Sequence, residues 1–223
     1  MNLQRWFITG VAKRGLDILC RIDKAELKKV PHHGPLIVFT NHTGSIEVPL
    51  IFSQLQPRPL TGLAKIETWD NAFMGWLFTL WGAIPIRRGE ADMKALNQSL
   101  TVLKQGAILG ISPEGTRNKT GALLRARPGI TTLALHSNAP LIPIAHWGGE
   151  NFRDNLKRLR RTDFHIRVGR IFTLDSRSEK VTKVVRQQMV DEIMYQLAGL
   201  MPEEYRGAYR NLIAATTKYI HFA

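Results

Sequence analysis

Leu36-Ile-Val-Phe-Thr40 runs directly into Asn41-His-Thr-Gly-Ser-Ile-Glu47, and that junction decides the fold. The first segment is apolar or β-branched at every position, not at every second one. This is the pattern of a strand covered on both faces and central in a sheet. Pro31-His-His-Gly-Pro35 ahead of it is a turn cluster. Asn41 to Ser45 is a polar break. Ile46 to Leu55 reads as an apolar helix, with Ser45 placed to cap it. A buried strand thus delivers His42 onto a loop that opens a helix.

Working outward, strand and helix alternate. Strands are expected at Leu60 to Ala64, Ile84 to Arg87, Ala107 to Ile111, Leu141 to Ala145 and His165 to Val168. Met93, Leu96, Leu100 and Leu103 fall on one side of a helix, with Asp92 near its start and Gly106 just past its end. Val181, Val185, Met189, Ile193 and Leu197 mark a last helix, stopped by Gly199 and Pro202. The expected fold class is α/β: a layered α/β/α domain with a mostly parallel mixed sheet over residues 30–223. In such sheets chemistry gathers where strands end and loops begin. Loops 41–45, 88–91 and 112–121 are those places.

Residues 1–29 are expected to form an N-terminal helical, membrane-contacting segment. Leu3, Trp6, Phe7, Val11 and Leu19 can share an apolar side, while Arg5, Lys13 and Arg14 are basic. Such a helix lies in a bilayer interface or packs on a core; sequence does not separate the two. The most apolar run, Ala72 to Ile86, is shorter than the roughly 18 to 20 residues of a bilayer span. Basic residues interrupt any signal-peptide core at the N-terminus.

The charge is lopsided: 31 Lys and Arg against 18 Asp and Glu, a formal net of +13. A chain with this balance prefers polyanions, either nucleic acid or an anionic membrane surface. The one cysteine, Cys20, excludes an internal disulfide and a cysteine-based zinc site.

Three loops carry the chemistry. In the first, His42 and Glu47 can meet if the histidine precedes the helix and the carboxylate sits in its first turn. A carboxylate on one ring nitrogen leaves the other free as a base. An unrelated loop histidine and surface carboxylate is the plainer account of this pair alone. In the second, Ser112-Pro-Glu-Gly-Thr-Arg117 follows a strand, and Arg117 offers a planar fork suited to phosphate. Lys119, Arg125 and Arg127 add positive charge. In the third, Arg87, Arg88 and Gly89 follow a strand and could join the same anion site. Ser112 makes a poor nucleophile, because Pro113 after it has no N–H for an oxyanion hole. Arg153 to Arg170 holds seven basic and two acidic residues, but no nucleic-acid motif accompanies it.

Read in order, these segments resemble the lysophospholipid acyltransferase family, the PlsC-like glycerolipid acyltransferases. Asn41-His42 with Glu47 looks like its N-H-x-x-x-x-D motif. Gly82-Ala-Ile-Pro-Ile-Arg-Arg88 is similar to its G-x-I-x-x-x-R segment. Ser112-Pro-Glu-Gly-Thr-Arg-Asn118 looks like F-P-E-G-T-R-S, and Leu141-Ile-Pro-Ile144 like its apolar V-P-V. The likeness spans roughly residues 30 to 170. Two positions depart from it: Glu47 stands for the usual Asp, and Arg127 for the Lys of a K-x-G segment.

The resemblance implies roles. His42 would deprotonate an acceptor hydroxyl, oriented by Glu47. Arg87 or Arg88, with Glu114, Gly115 and Arg117, would hold the acceptor phosphate, and Thr116 would support that loop. Arg127 and backbone N–H groups near Ile142 to Ile144 are the candidate oxyanion donors. The apolar run 72–81 and the N-terminal helix would face the membrane or line an acyl-chain tunnel. The implied reaction moves a fatty acyl group from acyl-CoA or an acyl carrier protein to 1-acylglycerol-3-phosphate, giving phosphatidate. The alternatives are another lysophospholipid or glycolipid acceptor, or a non-catalytic lipid-binding relative. No cofactor and no metal are expected. The expected partners are the acyl donor, the lysophospholipid and an anionic membrane surface, not nucleic acid. The expected location is the cytoplasmic face of the cell membrane, held peripherally or monotopically.

Overall fold

Ile37 and Phe39 point into one hydrophobic layer, and Leu36 and Val38 into the other. All four are 3% exposed or less. This is why Leu36 to Thr40 is apolar at every position. Each such side chain contributes about 2 kcal/mol when fully buried.

The computed structural model describes residues 3–44, 46–90, 92–118 and 120–223. The capping role expected of Ser45 and the charge of Lys119 lie outside these. Along the chain the elements are α1 (Leu3–Leu19), β1 (Cys20–Asp23), β2 (Leu36–Thr40), α2 (Glu47–Gln54), β3 (Leu60–Lys65), α3 (Ala72–Leu80), β4 (Ile84–Ile86) and α4 (Met93–Lys104). They continue with β5 (Ile108–Ile111), α5 (Gly129–Ser137), β6 (Leu141–Trp147), α6 (Phe152–Lys157), β7 (Thr162–Val168), β8 (Phe172–Leu174), α7 (Lys183–Ala198) and β9 (Ile220–Phe222).

The sheet runs β1-β7-β6-β2-β5-β3-β4, with β8 and β9 attached beside β6. β2 is parallel to both β5 and β6, and β3 to β5 and β4. β7 is antiparallel to β6, so the sheet is mixed but mostly parallel. Residues from α4, α5 and α7 build the core on one side. Residues from α2, with Leu16 of α1 and Trp81, build it on the other. The layered α/β/α architecture is therefore as expected.

Several elements carry no strong sequence signal. β1 is Cys-Arg-Ile-Asp, an edge strand paired only with β7 from Cys20↔Thr162 to Asp23↔His165. An edge strand needs no continuous apolar run, so it does not announce itself. α5 mixes Gly and Thr into a helix and is held by burial of Ile130, Leu133 and Ala134. The 72–81 stretch forms α3, whose Asn71 side chain accepts a hydrogen bond from the Met74 N–H at 2.9 Å as its cap.

α1 is inverted relative to an ordinary surface helix. At 100° per residue, Leu3, Phe7, Val11 and Ile18 project from one side. That side faces out: Phe7 is 63% and Ile18 71% exposed. The opposite side, with Arg5, Thr9 and Leu16, docks on the domain, and Thr9 is the helix's one buried residue among those described. Arg5 donates to the Leu60 carbonyl at 2.6 Å and lies over the Phe52 ring. Phe73 and Trp76 of α3 are also exposed. Among the described residues no helix is long and apolar enough to cross a membrane.

Candidate active site

β2, β5 and β6 are parallel neighbours, so their C-terminal ends deliver three loops to one place. Asn41 extends the β2–β6 pairing with its side chain. Its Nδ2 donates to the His146 carbonyl at 2.8 Å, and its Oδ1 accepts from the His146 N–H at 3.0 Å. The His146 ring Nε2 lies 2.9 Å from the Asn41 carbonyl, to which it donates. On the β5 side, the His42 N–H donates to Glu114 Oε1 at 2.9 Å, and the His42 carbonyl accepts from the Asn118 N–H at 2.8 Å. The Asn41–His42 segment is thus fixed from both sides, Asn41 by β6 and the His42 backbone by the loop after β5.

Its side chain meets Glu47, the first residue of α2. His42 Nδ1 and Glu47 Oε1 are 2.6 Å apart, and the Gly44 N–H adds a bond to the same oxygen at 3.0 Å. The Glu47 side chain is 1% exposed and the His42 side chain 12%. Burial alone would raise the Glu47 carboxyl, but the His42 hydrogen bond and the positive fields of His146 and His42 outweigh it, holding Glu47 at about 2. An ionised carboxylate on Nδ1 sets the tautomer with its proton there. Nε2, which has no partner among the described residues, is then an acceptor able to take a proton.

Glu114 is deeply buried, and both its oxygens are engaged. Oε1 accepts from the His42 N–H and Oε2 from the Leu124 N–H at 2.8 Å. Burial drives its carboxyl up to about 7, against these two hydrogen bonds and helped by the nearby Glu47 charge. With its oxygens turned to backbone donors, Glu114 ties the loop of His42 to the loop that follows β5. A role in holding phosphate, expected from the motif, does not fit this geometry.

The arginines divide. The Arg88 guanidinium is lowered by burial and by the like charges of Arg117 and Arg127, with Glu67 opposing. These three therefore form one positive cluster, and among the described residues none of them is ion-paired. All four arginines are exposed; Arg87 differs in that its N–H donates to Asp92 Oδ2 at 3.0 Å and its charge acts on Asp92. Gly115 has φ +68°, and a Cβ there would meet Arg127 Cδ at 3.4 Å, so the arginine arm lies across the glycine. Thr116 is exposed, and its hydroxyl has no partner among the described residues. Ile142 and Ile144 are fully buried within β6 between β2 and β7. Their N–H groups belong to the sheet, which removes them as oxyanion donors.

Two supports had no signal in the sequence. His146 is fully buried and stacked on Phe164; desolvation lowers its pKa against the Glu47 charge, and its Nδ1 has no partner among the described residues. Tyr209 accepts from the Ala126 N–H at 3.0 Å and donates to Asp191 Oδ1 at 3.1 Å. Tyr205 accepts from the Leu123 N–H through its carbonyl at 2.9 Å, and its hydroxyl donates to Glu150 at 2.5 Å. The C-terminal segment thereby fastens the loop that carries Arg127. Among the described residues, no group of three or more His, Cys, Asp or Glu side chains is placed to hold a metal ion.

Residues 21–147 match the family model described as acyltransferase. The chain is 26% identical over 131 residues to the 1-acyl-sn-glycerol-3-phosphate acyltransferase of Bacillus subtilis, covering 59% of this chain and 65% of that one. It is 29% identical over 133 residues to the enzyme of the same name from Pseudomonas aeruginosa, covering 58% and 51%. A lyso-ornithine lipid O-acyltransferase of Pseudomonas aeruginosa is 31% identical over 112 residues, covering 50% and 42%. The chain spans about half the length of these relatives, somewhat more for the first. The crystal structure of the 1-acyl-sn-glycerophosphate (LPA) acyltransferase PlsC from Thermotoga maritima superposes with a TM-score of 0.64 at 19% identity, covering 88% of this chain and 78% of that one. The two share a fold.

Proposed function

The chain belongs to the acyltransferase family, and on that premise we propose that it transfers a fatty acyl group from an acyl thioester to the free hydroxyl of a lysophospholipid. The acceptor put forward first is 1-acylglycerol-3-phosphate, and the product phosphatidate. The observation that carries this reading is the 2.6 Å contact of His42 with buried Glu47, on a loop bonded through the Asn118 N–H to the segment of Arg117, whose charge and those of Arg88 and Arg127 have no ion-pair partner among the described residues.

In the proposed reaction, His42 Nε2 takes the proton of the acceptor hydroxyl as its oxygen attacks the thioester carbonyl carbon. The tetrahedral adduct collapses, the carbon–sulfur bond breaks, and the leaving sulfur takes the proton back from His42. One ester forms, one thioester is lost, and no protein nucleophile is needed. Glu47 orients His42 and offsets the transient imidazolium charge. Arg88 and Arg117 hold the acceptor phosphate; Arg127 also faces the developing oxyanion. Glu114 and Gly115 shape the loop, Thr116 flanks it, and Arg87 adds charge at its edge.

The exposed apolar side of α1, with Phe73 and Trp76, rests in the bilayer interface, and the net charge of +13 draws the protein to anionic lipid. The bound state is peripheral, on the cytoplasmic face where acyl thioesters are made.

The test is thiol release from oleoyl-CoA, and separately from an acyl carrier protein donor, with lysophosphatidate in anionic vesicles. Release that requires the acceptor and disappears in His42→Ala establishes the reaction. No release by wild type with either donor, across lysolipid acceptors that include lyso-ornithine lipid, overturns it.

A further inference from the structure

The connection between β6 and β7 ends α6 in an unusual way. The Arg160 N–H bonds the Asn155 carbonyl at 2.8 Å, and the Leu159 N–H bonds the Leu156 carbonyl at 3.1 Å. This pair of bonds, six-to-one enclosing five-to-two, is the Schellman helix ending. Its left-handed residue is normally glycine, because a Cβ is disfavoured there. Here the residue is Leu159, with φ +53°. Its side chain gains nothing from the fold in return, being 93% exposed. Leu156, one turn earlier, is 44% exposed. A large apolar side chain held out on a rigid, hydrogen-bonded turn against its own backbone preference points to a partner outside the chain.

The surroundings say which partner. Arg153, Lys157, Arg158 and Arg160 are all exposed, and none is ion-paired among the described residues. Cations ringing a projecting leucine match an anionic bilayer: the charges reach the headgroups and the leucine reaches the acyl boundary. The position agrees. β6 ends at Trp147 on the same sheet edge as His42, so this turn emerges at the active-site end. Arg161 Nη2 donates to the Asp17 and Cys20 carbonyls at 2.8 and 2.6 Å, which locks the turn to the C-terminal end of α1 beside exposed Ile18.

We propose that the α6–β7 turn, led by Leu159 and Leu156 among these cations, is a second membrane anchor that binds anionic lipid surfaces. It sets the active-site end of the sheet against the bilayer, while α1 supplies the first anchor. This rests on the membrane reading above, but its test does not depend on catalysis.

The decisive variant is Leu159→Gly, which suits the left-handed turn better than leucine does. Sedimentation with phosphatidylglycerol/phosphatidylcholine vesicles should show binding weakened roughly tenfold, with a melting temperature no lower than wild type. Lys157→Gln/Arg158→Gln/Arg160→Gln should lose about fivefold per cation removed on the same vesicles, and little on pure phosphatidylcholine. Unchanged anionic-vesicle binding in both variants overturns the proposal. So does loss confined to duplex DNA or to an acidic acyl carrier protein, since these make the turn a different docking site. Thiol release in detergent micelles, run on the same variants, keeps the two readings apart: acyl transfer there should stay at the wild-type level whether or not vesicle binding falls.

Discussion

Asn41 and His146, 105 residues apart in the chain, are joined by three hydrogen bonds in which every polar group of the Asn41 side chain is used. His42 is the next residue. The direction of its ring is therefore set partly from β6, through a side-chain amide that imitates one more rung of the sheet. Asn41→Ala leaves the N–H and carbonyl of His146 buried and unpaired. The expected loss of stability in urea unfolding is about 3 kcal/mol. In the protein that remains folded, kcat should drop while KM for the acceptor changes little. A fall in KM-dependence alone would contradict the placement of Asn41.

His42→Ala should lower kcat by 10² to 10⁴, the ordinary contribution of a general base, with circular dichroism unchanged. Glu47→Gln keeps the shape but removes the charge that favours the imidazolium, and should cost about 100-fold. Glu47→Asp withdraws the carboxylate by one methylene; a displacement of about an ångström can also cost about 100-fold. Glu47→Asp as active as wild type would mean that the 2.6 Å contact tolerates slack.

The two buried carboxylates predict opposite dependences of stability on pH. Glu47 is held at about 2. It contributes stability above the ordinary carboxyl range that is lost as pH falls from about 4.5 toward 2. Glu114 is raised to about 7, so its folded form retains a proton that the unfolded chain releases near 4.5. Its contribution is full below that range and is lost as pH rises from about 4.5 through 7, on the order of 3 kcal/mol. The stability difference between wild type and Glu114→Gln, measured by urea unfolding at pH 5, 6, 7 and 8, should shrink or reverse as pH rises. A flat difference would place the Glu114 pKa outside that window.

Arg117 and Arg127 act on Arg88 as like charges, against the opposite charge of Glu67, and none of the three forms an ion pair among the described residues. Replacing Arg117 or Arg88 with Gln should leave the melting temperature unchanged or slightly raised. KM for a phosphate-bearing acceptor should rise 10- to 100-fold, the worth of a charge-assisted hydrogen bond of about 1.5 to 3 kcal/mol. Arg87→Gln, outside the cluster, should change KM less than threefold.

Tyr209→Phe removes only the hydroxyl that receives the Ala126 N–H and reaches Asp191. It should cost about 1 to 2 kcal/mol of stability. Because Ala126 adjoins Arg127, acceptor KM should rise severalfold with kcat nearly constant. An equal fall in kcat would instead mean that the loop positions the reacting carbonyl.

Much of this was legible locally. Leu36 to Thr40 reads as a central strand because both its faces are covered, and covering both faces leaves no polar position in the run. The pairing of His42 with Glu47 was not readable from the pair alone, since five residues on one helix would diverge; the ordered motifs of the family resemblance brought it forward, and the 2.6 Å contact closes it. β1 was not readable, since an edge strand with one partner needs few apolar residues. Neither was the ending of α6, where leucine occupies a position whose usual signal is glycine.

The sequence by itself determined the layered α/β class and the three loops at the strand ends, and its motifs in order brought the histidine and carboxylate forward only as a resemblance. Periodicity and short motifs are properties of neighbouring residues, and they survive without any tertiary contact. Only the tertiary structure decided that Arg88 joins Arg117 and Arg127 while Arg87 does not, and that Glu114 ties two loops instead of meeting an anion. It also turned the apolar side of α1 outward. These outcomes depend on burial and on electric fields, each summed over atoms from segments far apart in the chain, and no local pattern carries such sums.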